Sequence, residues 1–84
     1  MESCVYGNFN TEGIEIIERA GKYFVRYDAG SHQIALREDE ISGVEFALIK
    51  EGGKSQIDAL IQIQKRLTSS GANANQQNWF PEQT

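Results

Sequence analysis

Cysteine and histidine are almost absent from the sequence, and their scarcity excludes two common ways of stabilising a small fold. Cys4 is the only cysteine among 84 residues, so no disulfide can form within the chain. With His32 as the only histidine, a structural zinc site built from cysteine and histidine is excluded too. A lone cysteine is typical of a protein in a reducing cytoplasm. The one disulfide that the sequence still allows is a bridge between the Cys4 residues of two chains.

Basic residues and long apolar runs are also scarce. Lysine and arginine number 8 against 12 acidic residues, which gives a net charge of −4. This balance argues against a phosphate-binding face, so we expect no nucleic-acid partner. No apolar run approaches the roughly 18–20 residues that span a membrane, and residues 1–13 lack the features of a signal peptide. We therefore expect one small, acidic, cytoplasmic domain without membrane contact, of a size that often gains stability by oligomerisation.

The segment from Ile14 to Leu36 predicts three antiparallel strands joined by two-residue turns at Ala20-Gly21 and Ala29-Gly30. The first turn predicts the cross-strand pairs Ile17–Phe24, Ile16–Val25, Glu15–Arg26 and Ile14–Tyr27. The second turn predicts the pairs Tyr27–His32, Arg26–Gln33, Val25–Ile34, Phe24–Ala35 and Tyr23–Leu36. Both registers assign the shared strand to the same two faces, which supports a meander with one apolar face.

The two faces of this predicted sheet differ in character. The apolar face carries Ile14, Ile16, Tyr23, Val25, Tyr27, Ile34 and Leu36. The opposite face carries Glu15, Arg26, Gln33 and Arg37, crossed by an apolar stripe of Ile17, Phe24 and Ala35. The first face is expected to hold the core, and the stripe makes the second face a candidate interface.

Two helices are expected to follow the strands. Ser42 and Glu45 match a capping box and start a helix over 43–51, which the glycines at 52 and 53 end. A second helix is expected to start with Ser55 as its N-cap. Its apolar residues at helical spacing are Ile57, Leu60, Ile61 and Leu67, with Ile63 on the flank.

The fold class predicted by these elements is α+β: a three-stranded antiparallel meander followed by two helices packed on one face. Residues 1–13 are either a fourth short strand at Cys4–Tyr6 or a loose arm. Residues 14–68 form the domain. Residues 69–84 are a polar tail that ends in an aromatic segment, Trp79-Phe80. The tail is either disordered or a tether whose aromatic residues dock on its own domain or on a neighbour.

No group of residues forms a recognised catalytic motif, and we expect no cofactor and no metal. Gly53-Lys54-Ser55 resembles the end of a phosphate-binding loop, but Leu48 stands where that loop needs a glycine. The acidic run 38–40 has no calcium-loop spacing. His32, with Tyr27 and Asp28 close by, is the one plausible acid–base group and marks a candidate small-ligand cleft.

Apolar residues lie on two sides of the first helix, and a helix apolar on two sides is normally covered on both. Val44, Ala47 and Leu48 form one stripe, and Phe46 and Ile49 form the other. Either the rest of the chain covers these stripes, or a partner does. The candidate interface residues are Ile17, Phe24, Ala35, Phe46, Ile49, Trp79 and Phe80.

The segments 23–33 and 37–42 resemble a pattern in short bacterial proteins of the kind carried on mobile gene cassettes. These segments read YFVRYDAGSHQ and REDEIS and cover about a quarter of the chain. The resemblance implies a small bacterial α+β protein of unassigned function that is often oligomeric. It implies no catalytic residues.

The leading functional hypothesis is a non-enzymatic protein-binding or adaptor module that forms homo-oligomers. One rival is an acidic regulator or inhibitor of a basic or nucleic-acid-binding partner, suggested by the run Glu38–Glu40. The other rival is a small-molecule-binding protein or small enzyme with a cleft near His32.

Overall fold

The computed structural model describes residues 2–30 and 33–81, which form an α+β fold of four antiparallel strands and three helices. The strands are β1 (Glu2–Asn8), β2 (Ile14–Arg19), β3 (Lys22–Asp28) and β4 (Leu36–Ile41). The helices are α1 (Phe9–Glu12), α2 (Gly43–Glu51) and α3 (Gly53–Ser69). The strands follow one another across the sheet in the order β1-β2-β3-β4, so the meander has four strands.

The N-terminal segment belongs to the sheet. Strand β1 pairs with β2 from Glu2, opposite Arg19, to Asn8, opposite Ile14. A bulge at Val5 shifts the register, because Cys4 lies opposite Ile17 while Tyr6 lies opposite Ile16. The Asn8 side chain then caps the single turn of α1. Of the two interpretations of residues 1–13, the strand is therefore the one observed.

The first hairpin is confirmed pair by pair. Ile17 lies opposite Phe24 and Ile14 lies opposite Tyr27, as the turn at Ala20-Gly21 predicts. Both turn residues have positive φ, 54° at Ala20 and 78° at Gly21. This is the conformation of a type I′ turn, whose twist matches that of the flanking strands.

The predicted register of the second hairpin is wrong. Tyr23 lies opposite Ile41 rather than Leu36, and Tyr27 lies opposite Arg37 rather than His32. The Asp28 carboxylate accepts hydrogen bonds from the backbone N–H groups of Gly30 and Ala35, so the connection is a longer loop.

That offset is five residues, and an odd offset exchanges the two faces of a strand. Arg37 therefore lies on the core face instead of the outer face. Ile34, which was predicted for the core face, is exposed in the loop that precedes β4. His32, the predicted partner of Tyr27, lies outside the described residues.

Helix α2 has the predicted bounds, and both hydrogen bonds of the Ser42–Glu45 capping box are present. Helix α3 begins at Gly53, so its N-cap lies three residues before the predicted one at Ser55. Gly52, at φ 78°, separates the helices and caps α3 without a side-chain hydrogen bond. Ser55 is therefore not an N-cap. Its hydroxyl instead donates to Glu51 in the last turn of α2.

The core lies between the sheet and the helices α2 and α3. Its buried members are Ile14, Ile16, Val25, Tyr27, Ile41, Ile49, Ala59 and Ile63. Both helices thus cover one face of the sheet, as predicted. None of the helices within residues 2–30 and 33–81 is long and apolar enough to cross a membrane.

Candidate interaction surfaces

The outer face of the sheet, opposite the helices, is built around one arginine. The Arg26 guanidinium bonds to Glu15 and Glu38 at 2.8 Å and to Glu2 at 3.0 Å. Burial by itself lowers the pKa of Arg26, but hydrogen bonds to these three carboxylates raise it above its ordinary value. Because carboxylates already surround Arg26, its charge is not available to an external anion.

The apolar stripe predicted for this face is mostly covered. Ile17 and Ala35 are buried, and Ala35 precedes β4 instead of lying opposite Phe24. Phe24 is half-buried beneath the guanidinium of Arg19, whose central carbon is 4.9 Å from the ring centroid. Arg19 in turn bonds to Glu2 and Glu38. The outer face therefore offers little free apolar area.

Residues 72–81, which we call the C-terminal strap, return from α3 to the edge of β4. The backbone N–H groups of Asn78 and Trp79 donate to the Leu36 carbonyl at 3.0 and 3.2 Å. The Asn78 side chain accepts from the Glu38 N–H at 2.8 Å and donates to the Glu38 carbonyl at 3.3 Å. The strap thus satisfies backbone groups that an edge strand would otherwise present to other chains.

The two aromatic residues of the strap behave differently. The Trp79 ring meets the Phe9 ring edge-on at 4.9 Å, and the Arg26 guanidinium lies 4.7 Å from its centroid. Such contacts favour a ring that is partly removed from water. Phe80, by contrast, is 74% exposed. Trp79 is therefore docked on its own domain, and Phe80 is open.

A buried polar cluster lies on the core face, next to the strap. The Arg37 guanidinium makes two bonds to the Asp39 carboxylate, at 2.8 and 2.9 Å. It also donates to the carbonyls of Asn73 and Gln76 in the strap. The Tyr27 hydroxyl donates to Asp39 at 2.8 Å, and burial together with this bond raises the pKa of Tyr27. The cluster therefore joins β3, β4 and the strap.

Two of the three candidate ligand residues, Tyr27 and Asp28, bond to other groups of the described chain. Tyr27 is buried and stays a protonated donor to Asp39, while Asp28 holds the loop after β3. His32 lies outside the described residues. Among residues 2–30 and 33–81, no three histidine, cysteine or acidic side chains come together as a metal site.

The acidic run and the Gly53-Lys54-Ser55 segment have local partners. Glu38 is paired with two arginines, Asp39 is buried against Arg37, and Glu40 is exposed. Lys54 pairs with Asp58 at 2.8 Å along the surface of α3. Most of the predicted acidic surface is therefore neutralised.

The helical layer, α2 and α3, presents four exposed apolar side chains. On α2, Phe46 packs on the Tyr23 ring at 4.6 Å and Ile49 is fully buried, so this stripe faces the sheet. The exposed helical residues are Val44 and Leu48 on α2 and Ile57 and Ile61 on α3. Ile57 and Ile61 were expected on the buried stripe of α3, which the structure instead builds around Ala59 and Ile63.

Comparison with known proteins adds no relative: no protein family, no curated protein and no solved structure matches the chain. Support for the candidate surfaces therefore comes from the contacts and burial of their own residues.

Proposed function

We propose that the protein is a non-enzymatic protein-binding or adaptor module that self-associates through the solvent side of its helical layer. The observation that carries this proposal is the set of exposed helical residues. Val44 is 71% exposed and Ile57 is 58% exposed, and each has an apolar neighbour one turn further along its helix. Single exposed apolar residues are ordinary, but paired ones on two adjacent helices suggest a contact surface.

The charge around these residues also suits a protein contact. Lys54 and Asp58 pair on the exposed side of α3, and Arg66 pairs with Glu45 across the two helices at 2.6 Å. Apolar side chains bordered by paired charges of both signs are typical of the centre and rim of an interface. A two-fold dimer is the simplest closed assembly for such a surface.

The proposal also covers the cellular compartment and the two rival functions. The exposed thiol of Cys4 fits a reducing compartment, so we place the protein in the cytoplasm. The rival reading as an acidic regulator receives less support, because arginines pair with Glu38 and Asp39. The rival reading as a small-ligand protein receives less support, because Tyr27 and Asp28 hold the fold together.

Replacing Ile57 by glutamate is expected to weaken the dimer by about a hundredfold or more. Burying an isoleucine contributes about 1.5–3 kcal/mol when complete, and a two-fold interface carries each substitution twice. Val44→Glu should act in the same direction. Sedimentation velocity from the low to the high micromolar range, in reducing agent, measures the effect.

Ile34→Glu is the matched control, because Ile34 is 72% exposed but lies in the loop before β4. It should leave the dimer intact. A wild-type protein that stays monomeric at high micromolar concentration would contradict the proposal. So would an assembly that Ile34→Glu disrupts as strongly as Ile57→Glu does.

A further inference from the structure

We propose that the surface beneath the C-terminal strap is a peptide-docking groove, and that the strap is an internal ligand occupying it. The partner it fits is an extended peptide in which an asparagine is followed by an aromatic residue. Ala74 of the strap lines one cavity with Ile61 of α3, but the strap is anchored on β4, β3 and Phe9. The proposal therefore goes beyond self-association, and peptide binding tests it independently of the assembly.

The asparagine position is the most selective part of the groove. Asn78 places its amide against the backbone of Glu38, where it accepts one hydrogen bond and donates another. A side chain must carry both an acceptor and a donor to do this, which an aspartate carboxylate or an aliphatic group cannot. Another residue at this position therefore loses at least one of these two hydrogen bonds, and water takes its place at this exposed edge.

The next position is a seat for an aromatic ring. Phe9 supplies a ring at 4.9 Å, and Arg26 supplies a cation at 4.7 Å from the indole centroid. Three carboxylates fix the Arg26 guanidinium in place before any ligand arrives. A preorganised seat of this kind reduces the entropy that a bound peptide must lose.

The third part of the groove reads the peptide backbone. Arg37 donates to the carbonyls of Asn73 and Gln76, and the buried Asp39 holds its guanidinium in position. Together with the bonds from the N–H groups of Asn78 and Trp79 to the Leu36 carbonyl, these contacts hold the strap by its backbone without adding a strand to the sheet. Backbone contacts supply affinity, while the asparagine and aromatic positions supply selectivity.

The strap is held by hydrogen bonds and by the Trp79 ring, and it buries little apolar area of its own. Ala74 is its only buried residue within 72–81, and Asn73, Asn75, Gln76 and Asn78 are exposed. Segments with few buried apolar contacts open at low free-energy cost. The strap also follows Gly71, at φ 88°, which ends α3 and gives the chain a pivot.

The test uses the full-length chain and a fluorescein-labelled synthetic peptide with the sequence of residues 72–81. Trp79→Ala removes the aromatic anchor of the strap and should open the groove. Phe80→Ala is the matched control, since Phe80 is an exposed neighbour. Fluorescence anisotropy should show that Trp79→Ala binds the peptide about tenfold or more tightly than the wild type or Phe80→Ala does, because a competing internal ligand is gone.

A peptide with aspartate at the position of Asn78 should bind Trp79→Ala about twofold to tenfold more weakly, because it lacks the amide donor to the Glu38 carbonyl. Asn78→Asp in the protein provides a second way to open the groove and keeps the indole. The proposal is overturned if folded Trp79→Ala and Asn78→Asp bind no peptide at millimolar concentration, or bind the aspartate peptide equally well. It is also overturned if both variants fail to fold, because the strap is then a fixed part of the fold.

Discussion

Replacing Asp39 by alanine is expected to lower the free energy of unfolding by about 3–5 kcal/mol. Asp39 is buried, receives two bonds from Arg37 and one from the Tyr27 hydroxyl, and supports the residue that holds the strap. Its removal leaves a buried guanidinium without its counter-charge and a buried hydroxyl without its acceptor. Removing one partner of a buried ion pair lowers the free energy of unfolding by far more than the intact pair adds to it.

Asp58→Ala is the control for this prediction. Asp58 also pairs with a cation, Lys54, but both side chains are exposed and lie one turn apart on α3. Such a pair contributes about 0.3–0.5 kcal/mol. Urea denaturation followed by circular dichroism compares the two variants. Equal losses from Asp39→Ala and Asp58→Ala would mean that the cluster beneath the strap is not buried as described.

Replacing Ile49 by alanine is expected to lower the free energy of unfolding by about 2–5 kcal/mol. Ile49 is fully buried between α2 and the sheet, and its truncation leaves a cavity that the packed neighbours fill only in part. A domain of this size is stable by only about 5–15 kcal/mol, so the loss is a large share of the total.

Ile57→Ala is the matched control, because Ile57 has the same side chain on the exposed side of the neighbouring helix. Ile57→Ala should lower the free energy of unfolding by no more than about 0.5 kcal/mol when the protein is dilute. Since Ile49 is buried within one chain, the loss at Ile49 should not depend on protein concentration. If the stability difference between Ile49→Ala and the wild type vanished on dilution, Ile49 would lie between chains.

The first hairpin was predictable because its turn and its side-chain pattern agree. Gly21 adopts positive φ freely and Ala20 follows it at a small cost, and only one register then puts Ile14 and Ile16 on the core face. The second hairpin offered an equally plausible turn at Ala29-Gly30. The deciding contacts come from the Asp28 side chain, which reaches Ala35 seven residues away. No local pattern specifies a contact of that range.

The helix start at Ser42 was predictable for the same reason as the first turn. Ser42 and Glu45 satisfy each other's backbone within one turn, so the signal is local. On α3, several apolar residues compete for the buried side, and Ala59 with Ile63 occupies it. An alanine adds little to an apolar count, so periodicity alone favoured Ile57 and Ile61.

The sequence predicts the polar character of the strap but not its docking contacts. Its polar composition predicts little burial of its own, and the structure agrees except at Ala74. Its docking depends on acceptors and donors that lie far away in the sequence, at Leu36, Arg37 and Glu38. Trp79 was recognisable as an unusual residue in a polar tail, but its seat on Phe9 and Arg26 was not.

The strap of the same chain covers the β4 edge and part of the outer face, and the helical layer carries four of the exposed apolar side chains. Trp79 is the only tryptophan, so its fluorescence emission reports this arrangement directly. Across a dilution series from high to low micromolar concentration, the emission maximum should stay blue-shifted relative to the urea-unfolded chain and should not move. A red shift on dilution, in step with a fall in molecular mass, would place Trp79 between chains and contradict the account.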